Sequence, residues 1–372
     1  MLGSRWTSHL LLSSSPHLRS PVRHLMDLHS VVSHLKALAP PALAESWDNV
    51  GLLVEPSPPH RVQKLLLTND LTEEVLEEAV GMGANMVLSY HPPIFKALKR
   101  LTAGHWKERL VVKALENRLA IYSPHTACDA LSNGVNDWLG RALGPCVSVP
   151  IRACTSLSHP GGYDHILEFG RDASETFLPR LQSLQDARVR TYQLLNDTEG
   201  SVRIRLSCSH DALRQALAIL SEKSSLRDSV ELIALQKTPL LDTGMGRLCT
   251  LSEPVSISTA VERVKHHLGL AHVRLALGKR KTLESSVSVM AVCAGSGSSI
   301  LSGVPADLYL TGEMSHHEVL DAVAEGRSVI LCEHSNSERG YLQELQGQIA
   351  ERLEGKVEVV VSKKDRDPLL VV

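Results

Sequence analysis

Imidazoles and carboxylates gather at four places in the chain. They are His91 in Tyr90-His91-Pro92-Pro93, His125 with Asp129 in His125-Thr126-Ala127-Cys128-Asp129, Glu313 with His316 and His317 close behind, and His334 with Glu338 four residues on. Nitrogen and oxygen donors without thiolates make a site suited to Zn, Mn or Fe. His334 and Glu338, at i and i+4, can face one ion. A carboxylate able to bridge two ions would build a hydrolytic centre, with metals about 3.5–4 Å apart and an activated water between them.

Each residue also has a plainer reading. Ser335-Asn336-Ser337-Glu338 and Ser315-His316-His317-Glu318 both have the spacing of a capping box, in which the glutamate merely closes a helix N-terminus. Asp129 could cap a turn, and His91 before two prolines could be a hydrogen-bonded loop histidine. The Gly295–Ser299 loop matches neither the P-loop nor the dinucleotide fingerprint, so it reads as a tight turn. Trp47-Asp48-Asn49-Val50-Gly51 is a polar-glycine turn with no functional meaning of its own.

The elements that must position these groups alternate as α/β. Lys64–Thr68 is a short apolar run that reads as a buried strand. Asn69-Asp70 then opens a helix, Leu71 to Val80, with Asp70 and Glu73 placed as a capping box. Met86–Ser89 and Leu119–Tyr122 are further strands, separated by an amphipathic helix from Trp106 to Asn117. The last third repeats the rhythm with strands at Val287–Cys293, Leu308–Leu310, Ser328–Leu331 and Val357–Val361 and helices at Ser315–Glu325 and Ser337–Leu353. Such alternation implies right-handed βαβ units and a mostly parallel sheet. In such a sheet, residues just after the strands meet in one crevice, and all four clusters occupy that position. The expected organisation is a leader or flexible tail (1–26), an N-terminal α/β half (27–143), a small inserted α+β domain (144–243) and a C-terminal α/β half (244–372). Asp197-Thr198-Glu199-Gly200 is one of the turns expected within the insert.

Composition narrows the function. The 372 residues carry 39 Lys+Arg against 41 Asp+Glu, a formal charge of -2, which argues against direct nucleic-acid or membrane-surface binding. No apolar run reaches the roughly 18–20 residues of a spanning helix. The seven cysteines are scattered without a CxxC pair, the usage of buried thiols in a reducing compartment. Residues 1–26 hold three arginines, six serines and no acid, which reads either as a mitochondrial presequence or as an unstructured tail with Met26 as a second start.

Taken in order, Ser46–Leu52, Tyr90–Phe95, Ser123–Asp129, Gly244-Met245-Gly246-Arg247, Gly295–Ser299, Leu310–His317 and His334–Glu338 resemble the motifs of the NGG-one-interacting-factor-three (NIF-three) family, over roughly 27–143 and 244–372. Bacterial members of that family are often labelled GTP cyclohydrolase I type 2 homologues. The resemblance implies two similar α/β domains, homodimers or higher homo-oligomers, and paired divalent metals in an interdomain cleft. It places His91 and Asp129 at one metal, His334 at the other and Glu338 as the bridge. One position departs: Tyr90 stands where the family commonly has a first histidine, and a neutral phenol is a poor ligand at pH 7, which puts the second metal in doubt. Likeness to the animal branch implies a transcriptional corepressor in the cytoplasm with nuclear entry, in contact with COP9-signalosome subunit two. The C-terminal helix stripe Leu342, Leu345, Ile349 and Leu353 would either dock such a partner or pack on its own sheet. The bacterial label implies instead a metal-dependent hydrolase of a nucleotide or related small molecule, with His125 or Glu313 shuttling protons.

Overall fold

The computed structural model describes residues 25–170, 174–193, 202–222 and 230–372. The expected leader falls outside them except for its last two residues, and the Asp197–Gly200 turn does so entirely.

Among the described residues the first elements are β1 (Met26–Asp27), α1 (Leu28–Leu38), β2 (Gly51–Val54), β3 (Arg61–Val62) and β4 (Lys64–Thr68). The chain continues through α2 (Glu73–Gly81), β5 (Met86–Ser89), α3 (Trp106–Glu116), β6 (Ala120–Ser123), α4 (Thr126–Ala130) and α5 (Val135–Gly140). β7 (Cys146–Thr155) leads into a smaller unit of β8 (His165–Gly170), α6 (Ser174–Gln182), β9 (Ala187–Gln193), β10 (Val202–Cys208), α7 (His210–Ser221) and β11 (Glu231–Ala234). β12 (Pro239–Ser256) returns from it, followed by α8 (Ile257–Leu268), β13 (Arg274–Ala276), β14 (Ser286–Ser296), α9 (Ser298–Leu301) and β15 (Leu308–Glu313). α10 (His316–Ala324), β16 (Ser328–Leu331), α11 (Tyr341–Arg352) and β17 (Glu358–Val361) complete the fold.

The architecture is α/β. One sheet has the order β17-β4-β5-β6-β2 and a second β13-β16-β15-β14-β12-β7, while the smaller unit is an antiparallel β11-β8-β10-β9 sheet. Phe177 and Leu181 of α6 and Leu213, Ala216 and Leu220 of α7 pack against Leu167, Phe169, Ile204 and Leu206 of that small sheet, as expected for an α+β insert. β5 and β6 are buried at every residue and β4 at all but Lys64, the signature of parallel strands covered on both faces. A single core joins the two larger sheets, running from Leu65, Leu88 and Tyr122 to Val292, Leu310 and Ile330.

The structure differs from the sequence reading in the make-up of the second sheet and in the domain edges, and it chooses between the two readings of the C-terminal stripe. The second sheet is mixed, since only β14, β15 and β16 run parallel. β7 leaves for the insert and β12 returns from it, so the two pair antiparallel like the arms of a hairpin. Residues 146–155 and 239–243, expected in the insert, therefore belong to the second sheet, and Pro150 is tolerated because β7 is an edge strand. Conversely β17, expected in the C-terminal half, pairs in parallel with β4. Finally, Leu342, Leu345, Ile349 and Leu353 are each at most 1% exposed and lie within the main core, so of its two readings the stripe takes the internal one.

The Gly244–Arg247 motif has a structural explanation. A Cβ on Gly244 would come within 2.2 Å of the Arg152 carbonyl oxygen, so glycine lets β12 close on β7. Arg247, 1% exposed, then turns inward to a two-pronged ion pair with Asp137 at 2.8 and 2.9 Å and to the carbonyls of Gly244, Gly246 and Leu131.

Candidate metal centre

Strand ends carry the donors to one cleft between the two larger sheets. Beyond β5, the Tyr90 amide donates to Thr68 O at 2.8 Å and the His91 amide to Asn69 O at 3.0 Å, so the ladder with β4 extends to the imidazole. Beyond β16, the chain turns through residues 335–337 and presents His334 and Glu338. The cleft has a volume of about 550 Å3, and its walls include Trp47, His91, His125, Asp129, His334 and Glu338.

His91 Nε2 lies 3.2 Å from Glu338 Oε2, and His334 Nε2 lies 3.5 Å from Glu338 Oε1. One carboxylate thus stands between two imidazoles, and donor atoms of all three residues fall within 4.8 Å of one another. The outward nitrogens are engaged: His91 Nδ1 with Asp70 Oδ1 at 3.0 Å and His334 Nδ1 with Glu313 Oε1 at 2.9 Å. That pairing orients both rings and leaves each Nε2 facing inward, as in carboxylate–histidine–metal arrangements.

The electrostatics favour a cation. Burial alone would depress the His91 imidazolium, but the Glu338 and Asp70 carboxylates override it and raise it to about 11. Burial would raise Glu338, yet His91, His334 and the Asn69 amide hold it below the usual carboxylate range. Two further observations fit a metal rather than a proton alone. His91 Nε2 is buried and faces Glu338 Oε2 at 3.2 Å without a well-aligned hydrogen bond. Gly295, at φ +64°, leaves space beside the donors, because a Cβ there would come within 2.7 Å of Glu338 Oε1 and 3.1 Å of His334 Nε2.

The remaining candidates separate clearly. Asp129 lines the cleft but stands outside the three-residue cluster, and its Oδ1 accepts a hydrogen bond from Tyr90. Burial pushes its carboxyl up to about 6, the Glu338 charge adding to this and His125 opposing it. Tyr90 is fully buried, and its phenol is driven well above its ordinary range by that burial and by the Asp129 and Glu338 charges. It therefore stays protonated and serves as donor to Asp129. His125, at a strained φ of +32°, faces the cleft with Nδ1 held by Asp48 Oδ1 at 2.7 Å. Glu313, expected among the proton shuttles, instead orients His334 from the exposed side. His316 and His317 are exposed on the first turn of α10, where the Ser315–Glu318 capping box does form, and they stand apart from the cleft.

Two expected capping boxes are absent. α2 starts with Thr72 as its N-cap, whose side chain accepts from the Val75 amide, which frees Asp70 for His91. α11 starts at Tyr341 without a side-chain cap, and Glu338 is spent on His91, His334 and Asn69. Sequence reasoning missed Asn69, Asp70 and Asp48 as parts of the site. Their position directly after a strand or in a polar-glycine turn was the available signal. The Gly295–Ser299 segment also lacks free amides at two points, since Gly295 N donates to Ser337 Oγ at 2.7 Å and Gly297 N to Thr311 Oγ1 at 3.1 Å.

Fold and site define an α/β protein with a candidate metal centre at the junction of two sheets. The chain belongs to the Duf34/NIF3 (NGG1p interacting factor 3) family, whose sequence profile matches residues 26–368, the insert included. It is 53% identical to NIF3-like protein 1 of Rattus norvegicus over 356 residues, 95% of each chain. It is 50% identical to NIF3-like protein 1 of Homo sapiens over 371 residues, 99% of this chain and 97% of that one. NGG1-interacting factor 3 of Saccharomyces cerevisiae is 30% identical over 358 residues, 93% of this chain and 97% of the yeast protein. Among solved structures, a Bacillus cereus protein related to NIF3 shares the fold, with a TM-score of 0.66 at 23% identity over 93% of this chain and 99% of that one.

Proposed function

We propose that this protein is a divalent-metal-binding regulatory factor, a transcriptional corepressor that works through protein contacts with a partner of the COP9-signalosome subunit two type. The observation that carries this reading is Tyr90. A buried phenol donating to Asp129 stands where the family commonly has an imidazole, and among the described residues the tight donor set is His91, His334 and Glu338. A two-metal hydrolase tolerates such a loss badly, whereas a metal-stabilised binding protein does not need the second ion. The yeast relative carries the name of an interaction with NGG1, which supports a role in contacts between proteins. In this reading the chain forms a homodimer or larger homo-oligomer in the cytoplasm, with nuclear entry.

A second reading, a metal-dependent hydrolase of a nucleotide or related small molecule, is favoured by Asp129, which lines the same cleft. A divalent ion held by His91, His334 and Glu338 would supply Lewis-acid chemistry there. Asp129, with a carboxyl near 6 and Oδ1 occupied by Tyr90, is poised to exchange a proton at Oδ2. Asp48, buried yet held low by His125 and Thr126, fixes the imidazole beside it.

One set of measurements separates the two. Metal content of the purified chain, turnover of GTP and a nucleotide panel, and capture of COP9-signalosome subunit two are compared between the native chain and Asp129→Ala. Bound metal with turnover that disappears in the variant refutes a purely regulatory role. Equal capture by both proteins without turnover refutes the hydrolase.

A further inference from the structure

The segment after β17 continues past the end of β4, where Ser362 N donates to Leu67 O at 2.8 Å, and reaches the residues behind the metal centre. Ser362 and the amides of Lys363 and Lys364 dock on the Glu78 carboxylate of α2. Three residues later Asp365, whose side chain is 2% exposed, accepts a hydrogen bond from the Asn69 amide at 2.7 Å and pairs with Arg339 at 3.3 Å.

Asn69 is the junction of the site. It is fully buried, its amide N–H is taken by Asp365, its carbonyl accepts from the His91 amide at 3.0 Å, and its Nδ2 donates to Glu338 Oε2 at 3.1 Å. Two of the three donors therefore hang on one residue, and that residue is fixed from behind by a carboxylate 296 positions later in the chain. The second arm runs through Arg339, which follows Glu338 directly. Its Nη2 stands 3.9 Å from Asp70 Oδ2, while Asp70 Oδ1 holds His91 Nδ1. Asp365 offsets the Arg339 charge at close range, so the guanidinium does not draw Asp70 away from the imidazole. A buried carboxylate is costly unless paired and hydrogen-bonded, and Asp365 has both kinds of partner.

We propose that Asp365 is a positioning residue for the metal centre, setting Glu338 and His91 through Asn69 and Arg339 without touching the ion. The proposal rests on His91, His334 and Glu338 as the ligands. Partners hydrogen-bonded directly to metal ligands are worth about 10–100-fold in affinity, and Asp365 stands one residue further out, behind Asn69, so its effect should fall at the lower end of that range.

The test is titration of the full chain with Zn2+ alone, followed calorimetrically, beside thermal melts in EDTA. Asp365→Asn, which keeps the size but loses the charge, should weaken Zn2+ binding about tenfold, the lower end of the range for groups behind metal ligands, and Asp365→Glu should recover part of that loss. Glu78→Gln serves as the control, since it loosens the same segment at its other anchor without touching Asn69. It should lower the EDTA melting temperature as much as Asp365→Asn while leaving Zn2+ affinity within about twofold of native. Native affinity in Asp365→Asn, or an equal affinity loss in Glu78→Gln, overturns the positioning role and leaves only general docking of the segment. A native chain that takes up no Zn2+, Mn2+ or Fe2+ overturns the metal centre itself, a result distinct from either of these.

Discussion

Metal uptake should expel a proton from His91. Without an ion, Glu338 and Asp70 outweigh burial and raise this imidazole to about 11. At pH 7, about four units lower, only about one chain in ten thousand offers a free Nε2, so a cation must displace the proton to bind. Its apparent affinity should therefore climb about tenfold per pH unit between about pH 7 and 9, with about one proton leaving per ion. Calorimetric titration with Zn2+ in buffers of different ionisation heat counts that proton directly. Asp70→Asn removes one of the two flanking charges and should move the steep region to lower pH. The same group shapes the metal-free fold. Its folded value lies above the unfolded 6.5, so the stability it contributes is complete below about 6.5 and is lost as pH rises toward about 11. Urea unfolding in EDTA should accordingly weaken from pH 7 to 10, by at most about 1.4 kcal/mol per pH unit. Affinity that stays flat from pH 7 to 9, with no proton released, would refute this account of the site.

Three substitutions probe other parts of the structure. Gly295→Ala puts a Cβ at φ +64°, 2.7 Å from Glu338 Oε1; it should cost about 1 kcal/mol or more in EDTA melts and abolish tight Zn2+ binding, and native affinity would show that the space beside the donors is not used. Arg247→Met strands Asp137 and should destabilise the fold by about 3–5 kcal/mol in urea unfolding, because a buried ion pair that loses one partner leaves an uncompensated charge. Tyr90→His restores a second imidazole next to Asp129 and should raise the metal-to-chain ratio measured by elemental analysis; an unchanged ratio would refute the view that the phenol limits the site.

Much of the local structure was legible because it obeys simple periodicity. The runs Lys64–Thr68, Met86–Ser89 and Ser328–Leu331 are strands at the expected residues, since fully buried parallel strands are nearly continuous apolar segments. The placement of His91, His334 and Glu338 after strands also followed from the rule that strand ends converge. The choice between cap and ligand was not legible. Asp70 and Glu338 each have capping-box spacing, and only the tertiary approach of an imidazole draws their carboxylates away from the helix N-termini. The same holds for the domain edges. A strand's partner is a long-range property, so nothing in Val357–Val361 announced that it would lie beside Leu65-Leu66-Leu67. Asp365 was invisible for the same reason, being 296 residues from the amide it holds.

The pairing of β17 with β4 also sets the timetable of folding during synthesis. β4 is flanked by β5, close in sequence, on one side, while its other neighbour, in register Val359 to Leu65 and Val360 to Leu66, is translated much later. At about 5–20 residues per second, the roughly 290 intervening residues take about 15–60 s. Throughout that interval the leucine-rich strand lacks its partner on that side, leaving an open edge of the kind that pairs with other chains.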